Sequence, residues 1–384
     1  MGEKLKSETN VVHLTSVHVR YDTRIFVKEC QSLARAGYKV WLVVADGLGD
    51  EVKAGVNIID VGKPKNRFDR RRNSTRKVLE AGLKLDPDIL HLHDPELIPV
   101  GVKAKKLGRT VVFDSHENVS KQIMAKPYIP KAFRGLVSSA YKAYESKAIT
   151  KLDYVVAATP SIADHFQKLG VSSQSVSNFP ILDELVDDDF DWSEKEKTVC
   201  YIGGVTKVRG ISELVLSKPL LPNDLSMEIG GPIAGPGYEE ELNELINCNN
   251  IQDVNLLGRL NRDEVKELFR KSMVGAVTLL KTPNHYDAQP VKLYEYMSAG
   301  LAVVASDFPL WREVVEGNEC GLCVDPSDES QIADAINKLV LDPEYARKLG
   351  ENGKKAVASK YSWNNEEATL LSIYSDLLGI DASN

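Results

Sequence analysis

Unbroken runs of apolar residues alternate along this chain with stretches whose apolar positions recur at helical spacing. VVHLTS (11–16) reads as a first strand, 17–22 as a loop, and Thr23 to Ala36 as a helix striped by Ile25, Phe26, Cys30 and Leu33. Gly37 stops that helix and YKVWLVVAD supplies the second strand. Strand, helix and strand joined by short loops open a doubly wound parallel sheet. The same alternation returns in PDILHLHDPELIPVG, VVFDSHENV and DYVVAATPSIADHF, and again, after an interruption, from TVCYIGGVTKVRGISELV onward. The interruption, NFPILDELVDDDFDWSEKEK (178–197), is acidic and without period, which suits a linker between two α/β domains. The expected division is 1–180, a linker 181–197, a second domain 198–360 and a terminal amphipathic helix in 361–384.

The stretch YDAQPVKLYEYMSAGLAVVASD (286–307) combines pattern with chemistry. Gln289-Pro290 is a helix start, because proline pre-sets φ and has no amide hydrogen to lose in the first turn. Gly300 is the stop, and LAVVAS is a strand buried on both faces. Backbone N–H groups at Val291, Lys292 and Leu293 would point out of the helix N-terminus, where the macrodipole also favours an anion. Glu295 lies about 6 Å further along the axis at ~1.5 Å rise per residue. Its carboxylate could accept from a sugar diol while the amides hold a diphosphate, and Asp287 in the preceding loop could reach the hexose. The spacing outlines a nucleotide-sugar pocket.

An acidic residue, seven residues, Glu, then hydrophobic-Met-Ser-Ala-Gly-hydrophobic-Ala-Val-Val-Ala-Ser resembles the donor motif of retaining GT-B glycosyltransferases of family 4 (glycosyltransferase group 1). The loop VHVRYDTRIF resembles that of members that build bacterial surface polysaccharides of the O-antigen or capsule type. The resemblance implies two Rossmann-like domains facing across a cleft, the terminal helix crossing back to the first. Its activity would be metal-independent transfer from a UDP- or GDP-sugar, with retention, to a saccharide acceptor, lipid-linked by expectation. It makes Asp287, Glu295 and His116 the catalytic candidates. Gly203, Gly204, Lys207, Arg209, Gly258, Arg259, Pro290, Val291, Lys292, Leu293 and Glu295 become donor-binding candidates; His18, Asp22, Arg24, His93, Asp94 and Glu117 become acceptor-side ones. The family's usual first acid is Glu, where this chain has Asp287. Gly203-Gly204 also replaces the usual Gly-Arg, so Lys207 or Lys292 would have to supply the missing cation. A nucleotide-sugar epimerase of the same fold and a non-catalytic sugar-nucleotide binding subunit are the alternatives.

Composition changes this picture in three places. With 384 residues, 43% hydrophobic, 27% charged and a formal charge of −7, the chain fits a globular class and speaks against general nucleic-acid binding. No apolar run approaches the ~18 residues needed to span a bilayer, and MGEKLKSETN lacks the apolar core of a signal peptide, so a cytoplasmic location is expected. Within this acidic chain, however, Lys63, Lys65, Arg67, Arg70, Arg71, Arg72, Arg76 and Lys77 form one basic segment. Lys121, Lys126, Lys131, Arg134, Lys142 and Lys147, interleaved with Ile123, Met124, Tyr128, Phe133, Leu136 and Val137, form another. Both suit contact with an anionic membrane face. Metal is not expected: His93-Asp94 and His116-Glu117 hold possible ligands, yet no HExxH or paired-Cys spacing supports a site there. Cys320 and Cys323 have redox spacing but read as buried filler, and Asp187, Asp188, Asp189 and Asp191 as solvated linker.

Overall fold

The computed structural model describes residues 5–125, 129–182, 184–185, 192–282, 285–286 and 288–380. Asp287, the four linker aspartates, Lys126 and Tyr128 lie outside them. The chain divides into two units: everything up to Asn178 with the segment from Asn365 onward, and Phe179–Asn364.

The first unit is built on an eight-stranded sheet: β1 (Asn10–Leu14), β2 (Lys39–Val44), β3 (Glu51–Lys53), β4 (Val56–Asp60), β5 (Ile89–Leu92), β6 (Thr110–Ser115), β7 (Tyr154–Ala157) and β8 (Ser173–Ser175). The order is β3-β4-β2-β1-β5-β6-β7-β8, parallel throughout except for the β3–β4 pair. The second sheet comprises β9 (Glu196–Ile202), β10 (Ser226–Gly230), β11 (Val254–Gly258), β12 (Ser272–Val277), β13 (Ala302–Ser306) and β14 (Gly321–Val324), ordered β11-β10-β9-β12-β13-β14 and all parallel. The apolar runs sit centrally, as helices on both faces require: every residue of β5, β12 and β13 is buried. Each unit is thus a Rossmann-like α/β layer structure, and the loops that matter chemically leave the carboxyl ends of its strands.

Two segments depart from the expected regularity. The helix read as Thr23 to Ala36 is wound as a π-helix over Thr23–Cys30 and becomes α over Gln31–Arg35. Its wider winding carries Arg24, Lys28 and Glu29 inward together with Ile25, Phe26 and Cys30, so charged residues share the buried side. From Arg67 onward the basic segment is likewise helical, with a π turn at Arg70–Ser74 between Arg67–Asp69 and Thr75–Lys84. Cys320 is fully buried and Cys323 half-buried; burial pushes both thiols up to about 12, which suits packing and not thiolate chemistry.

Candidate functional site

In the first unit the site forms around Asp114, at the carboxyl end of β6. Asp114 is fully buried and accepts from Arg24 Nε at 2.8 Å and Nη2 at 2.7 Å, from His116 Nε2 at 2.7 Å and from His93 Nδ1 at 3.2 Å. Burial alone would raise its pKa, but the Arg24 charge and the two histidines outweigh it and hold the carboxyl well below the usual range. Arg24 and His93, expected to face the acceptor, are therefore placed beneath the surface. Arg24 is 4% exposed and also donates to the Val176 carbonyl, while His93 Nε2 lies 2.8 Å from His13 Nδ1. Both are positioned to fix Asp114 and, through it, the half-exposed His116 ring.

The neighbouring polar groups form a second layer. Asp22 caps the π-helix by accepting from the Arg24 and Ile25 amides, and its Oδ2 stands 3.3 Å from His18 Nδ1. Asp94 is buried and accepts from Thr15 Oγ1 and the Ser16 amide, with His18 Nε2 3.4 Å from its other oxygen. Glu117 is exposed and accepts from Gln122. Ring-to-ring, His18 and His116 centroids are 5.0 Å apart. His18, Asp22, Asp94 and His116 are thus one cluster, and Glu117 lies on its exposed margin.

Sequence reasoning missed three residues here. His13 faces His91 across the β1–β5 pair, and Glu29 is buried on the π-helix. Strand alternation puts His91 and His93 on one face, a signal available in HLHD; nothing in the sequence ties Glu29 to them. Burial pushes His13 and His91 well below the ordinary imidazole value, and burial followed by the Asp114 charge raises Glu29.

In the second unit the loop after β9 carries the expected glycines. Gly203 has φ +128 and donates to the Gly230 carbonyl; a Cβ there would lie 2.7 Å from Lys292 Nζ. Gly231, at φ +143, packs so closely that a Cβ would sit 1.9 Å from the Gly203 carbonyl oxygen. Only glycine supports this approach of two loops. Lys292 is buried in the first turn of the helix Val291–Ser298; its ammonium stands 3.6 Å over the Tyr201 ring and makes no hydrogen bond. Burial and then the Arg209 charge push its pKa well down. Burial also raises the Tyr201 phenol to about 12, against the neighbouring Arg209, and its hydroxyl donates to the Gly204 carbonyl at 2.8 Å.

Of the two lysines offered for the missing cation, Lys292 is at the glycine loop, whereas the exposed Lys207 pairs with Glu241 at 2.5 Å. Pro290 is the N-cap, as its sequence position suggests, but the Leu293 amide is bonded to the Pro290 carbonyl at 3.0 Å. That turn is already closed, which leaves the Val291 and Lys292 amides as the helix-end donors. Glu295 is 9% exposed and accepts from Arg262 Nη1 at 2.9 Å; Arg262 also reaches Glu184 at 2.9 Å. Arg262 was not legible as a site residue, since it sits in the first turn of an otherwise amphipathic helix, Arg262–Lys271. Gly258, at φ +66, and Arg259 are exposed at the end of β11.

Comparison with known proteins gives two adjoining matches. Residues 24–179 match the family model described as Glycosyltransferase Family 4, and 184–356 match that described as Glycosyl transferases group 1. Alpha-maltose-1-phosphate synthase of Mycolicibacterium smegmatis is 28% identical over 187 residues, 46% of this chain and 47% of that protein. The matched stretch spans about half the length of such curated relatives. Among solved structures, sucrose-phosphate synthase of Thermosynechococcus elongatus aligns with a TM-score of 0.78 at 17% identity, covering 97% of this chain and 99% of that one. Anabaena Alr3699/HepE in complex with UDP aligns with a TM-score of 0.72 at 14% identity, covering 96% and 100%. These two likenesses establish the fold.

Proposed function

We propose that the chain is a group 1 glycosyltransferase of GT-B fold, and that it moves a sugar from a nucleoside-diphosphate donor to a saccharide acceptor with retention of configuration. The observation that carries this reading is the Lys292 ammonium, buried against Gly203 without a hydrogen bond and with the Arg209 charge nearby. Two cations beside a glycine loop and a helix N-terminus form an environment suited to a diphosphate. Breaking the bond from the anomeric carbon to phosphate leaves charge on the diphosphate. Lys292, Arg209 and the Val291 and Lys292 amides would stabilise that charge in the transition state. The acceptor oxygen bonds to the anomeric carbon on the same face, its proton passing to the departing phosphate. In this reading Glu295 exchanges Arg262 for the donor's ribose hydroxyls, and His116 polarises the reacting sugar. Asp287 would contact the hexose. UDP in complex with the Anabaena protein supports a UDP-sugar, and GDP-sugars stand beside it as donors to test.

A lipid-linked acceptor, of the kind used in surface-polysaccharide assembly, fits a surface feature of the first unit. Phe133, Leu136 and Val137 are 57%, 70% and 39% exposed on the helix Lys131–Ile149, with Lys131 and Lys142 exposed on the same helix. No helix among the described residues is long and apolar enough to cross a membrane, so the reading is of contact with its surface.

The direct test is donor binding by thermal shift with a panel of UDP- and GDP-sugars, followed by Glu295→Ala. Loss of a hydrogen bond to a charged group costs about 1.5–3 kcal/mol, so donor affinity should fall roughly tenfold to a hundredfold. The ligand-free melting temperature should hardly move, because Arg262 keeps Glu184. Undiminished donor binding would remove Glu295 from the site. Release of a free epimerised sugar without acceptor would favour the epimerase reading, and binding without transfer to any acceptor tried would favour the non-catalytic one.

A further inference from the structure

We propose that His13, Glu29 and His91 form a buried binding site for a small divalent transition-metal ion, zinc by the chemistry of its donors. The site lies inside the first unit, under Asp114, and owes nothing to the sugar donor.

Nε2 of His13 and Nε2 of His91 are buried and make no hydrogen bond, and the buried carboxylate of Glu29 lies against Arg24 and Asp114. His13, Glu29 and His91 all have 0% exposure. One possible ligand atom from each of the three, Nδ1 or Nε2 for the histidines, lies within 4.8 Å of the others and of one from His93. Zinc holds nitrogen and oxygen donors at about 2.0–2.2 Å, so donors sharing one ion stand roughly 3–4 Å apart, within reach of a rotation of Glu29. Arg24 Nε approaches Glu29 Oε1 to 3.1 Å as an ion pair, but its fork is spent on Asp114.

Hydrogen-bond logic shows why these atoms want a cation. Because Arg24 forks onto Asp114, that carboxylate is an acceptor, and His93 Nδ1 must donate to it. His93 Nε2 then carries a lone pair and accepts from His13 Nδ1 at 2.8 Å. His13 Nε2 is left with its own lone pair and no proton. His91 Nδ1 lies 2.7 Å from the Tyr374 hydroxyl; with the phenol accepting, His91 Nε2 carries a second lone pair. In that tautomer, two bare imidazole nitrogens and a carboxylate in one dry space form a His, His, Glu donor set of the kind zinc takes. His93 behind His13, and Tyr374 behind His91, are the outer hydrogen bonds that orient metal-ligating imidazoles. The ion would tie β1, β5 and the π-helix together beneath the His116–Asp114 pair, as a structural site.

A proton on Glu29 or a bridging water could satisfy the same atoms, and the experiment separates the three. Since the ligands are wholly buried, the ion must enter as the chain folds. The full-length protein is therefore produced in zinc-rich medium, desalted over a chelator, and its metal measured by elemental analysis. The expected result is about one zinc per chain, as ligand deprotonation and folding couple to binding. Glu29→Gln keeps the shape and should retain less than about a tenth of that, in line with loss of a ligand. Production in cobalt should give the intense visible bands of a tetrahedral site, lost in His91→Gln. His91→Gln also serves if Glu29→Gln does not fold. A folded wild-type protein without stoichiometric metal overturns the proposal in favour of proton or water. So does zinc that persists in both variants.

Discussion

At the scale of single residues, the first unit shows polar groups that touch no solvent setting the behaviour of one that does. His116 is oriented by Asp114, which in turn is fixed by Arg24 and His93. On the proposed reading His116→Ala lowers kcat about a hundredfold, the usual worth of a positioned catalytic group, and leaves nucleoside-diphosphate binding unchanged. Near-normal turnover would make His116 structural. His18 gives a pH signature. Burial by itself lowers its pKa, but the Asp22 hydrogen bond and the Asp94 and Asp22 charges win and raise it above 6.5. Asp22, which burial alone would raise, is brought down to about 2, first by His18 and then by the Ile25 amide. The stability contributed by His18 is full below 6.5 and is lost as pH rises through its raised folded value. That of Asp22 is present above 3.8 and is lost as pH falls through about 2. Asp22→Asn keeps the helix cap, so NMR should show His18 titrating closer to 6.5 and a flatter stability profile just above that pH. An unmoved His18 titration would contradict the pairing.

At the scale of elements, the proposed donor side rests on loops that leave parallel strands. The glycine pair after β9 was readable from sequence, and so was the helix–strand unit behind it. Which lysine fills the missing cation position was not. Lys207 is nearer to those glycines in sequence, but its side chain turns outward to Glu241, while Lys292 arrives from another element. Gly203→Ala tests this geometry. A methyl group at φ +128 is strained, and it would meet the Lys292 ammonium. The expected outcome is a lower melting temperature, by about 1–3 kcal/mol of strain, together with loss of donor binding. Donor binding equal to wild type would show that the loop does not approach the phosphates.

At the scale of the molecule, a chain with formal charge −7 concentrates basic residues in its first unit. Not all of them are available to a membrane. Arg70 is half-buried and forks onto Glu96 at 2.8 and 3.1 Å, so it is structural, whereas Arg71, Arg72 and Arg76 are exposed beside Phe68, itself 72% exposed. Reversing Arg71, Arg72 and Arg76 to Glu should weaken binding to anionic vesicles at least about a hundredfold, at ~1 kcal/mol per residue. Binding should also fade as salt shortens the Debye length from about 10 Å at 0.1 M to ~3 Å at 1 M. Phe133→Ser with Leu136→Ser should reduce it at any salt. Co-sedimentation is the measurement; wild-type protein that stays in the supernatant at low salt would make a soluble acceptor the better choice.

The sequence by itself determined the two Rossmann-like units and put polar residues at the ends of their strands. Apolar runs that can only be buried between helix layers dictate parallel sheets, and in such sheets the polar residues just past β1, β5 and β6 converge. Local signals likewise fixed Pro290 as a helix cap and Gly203 as a site of close approach. Tertiary structure alone decided which of those polar residues meet solvent. His93 and Arg24 look as available in sequence as His116, yet both are buried under Asp114: a π-wound segment turns Arg24 inward, and His93 leaves the buried end of β5. It also brought together His13, Glu29 and His91, and set Arg262 on Glu295. Residues so far apart along the chain are joined only by strand order and helix placement, and no spacing within the sequence records that.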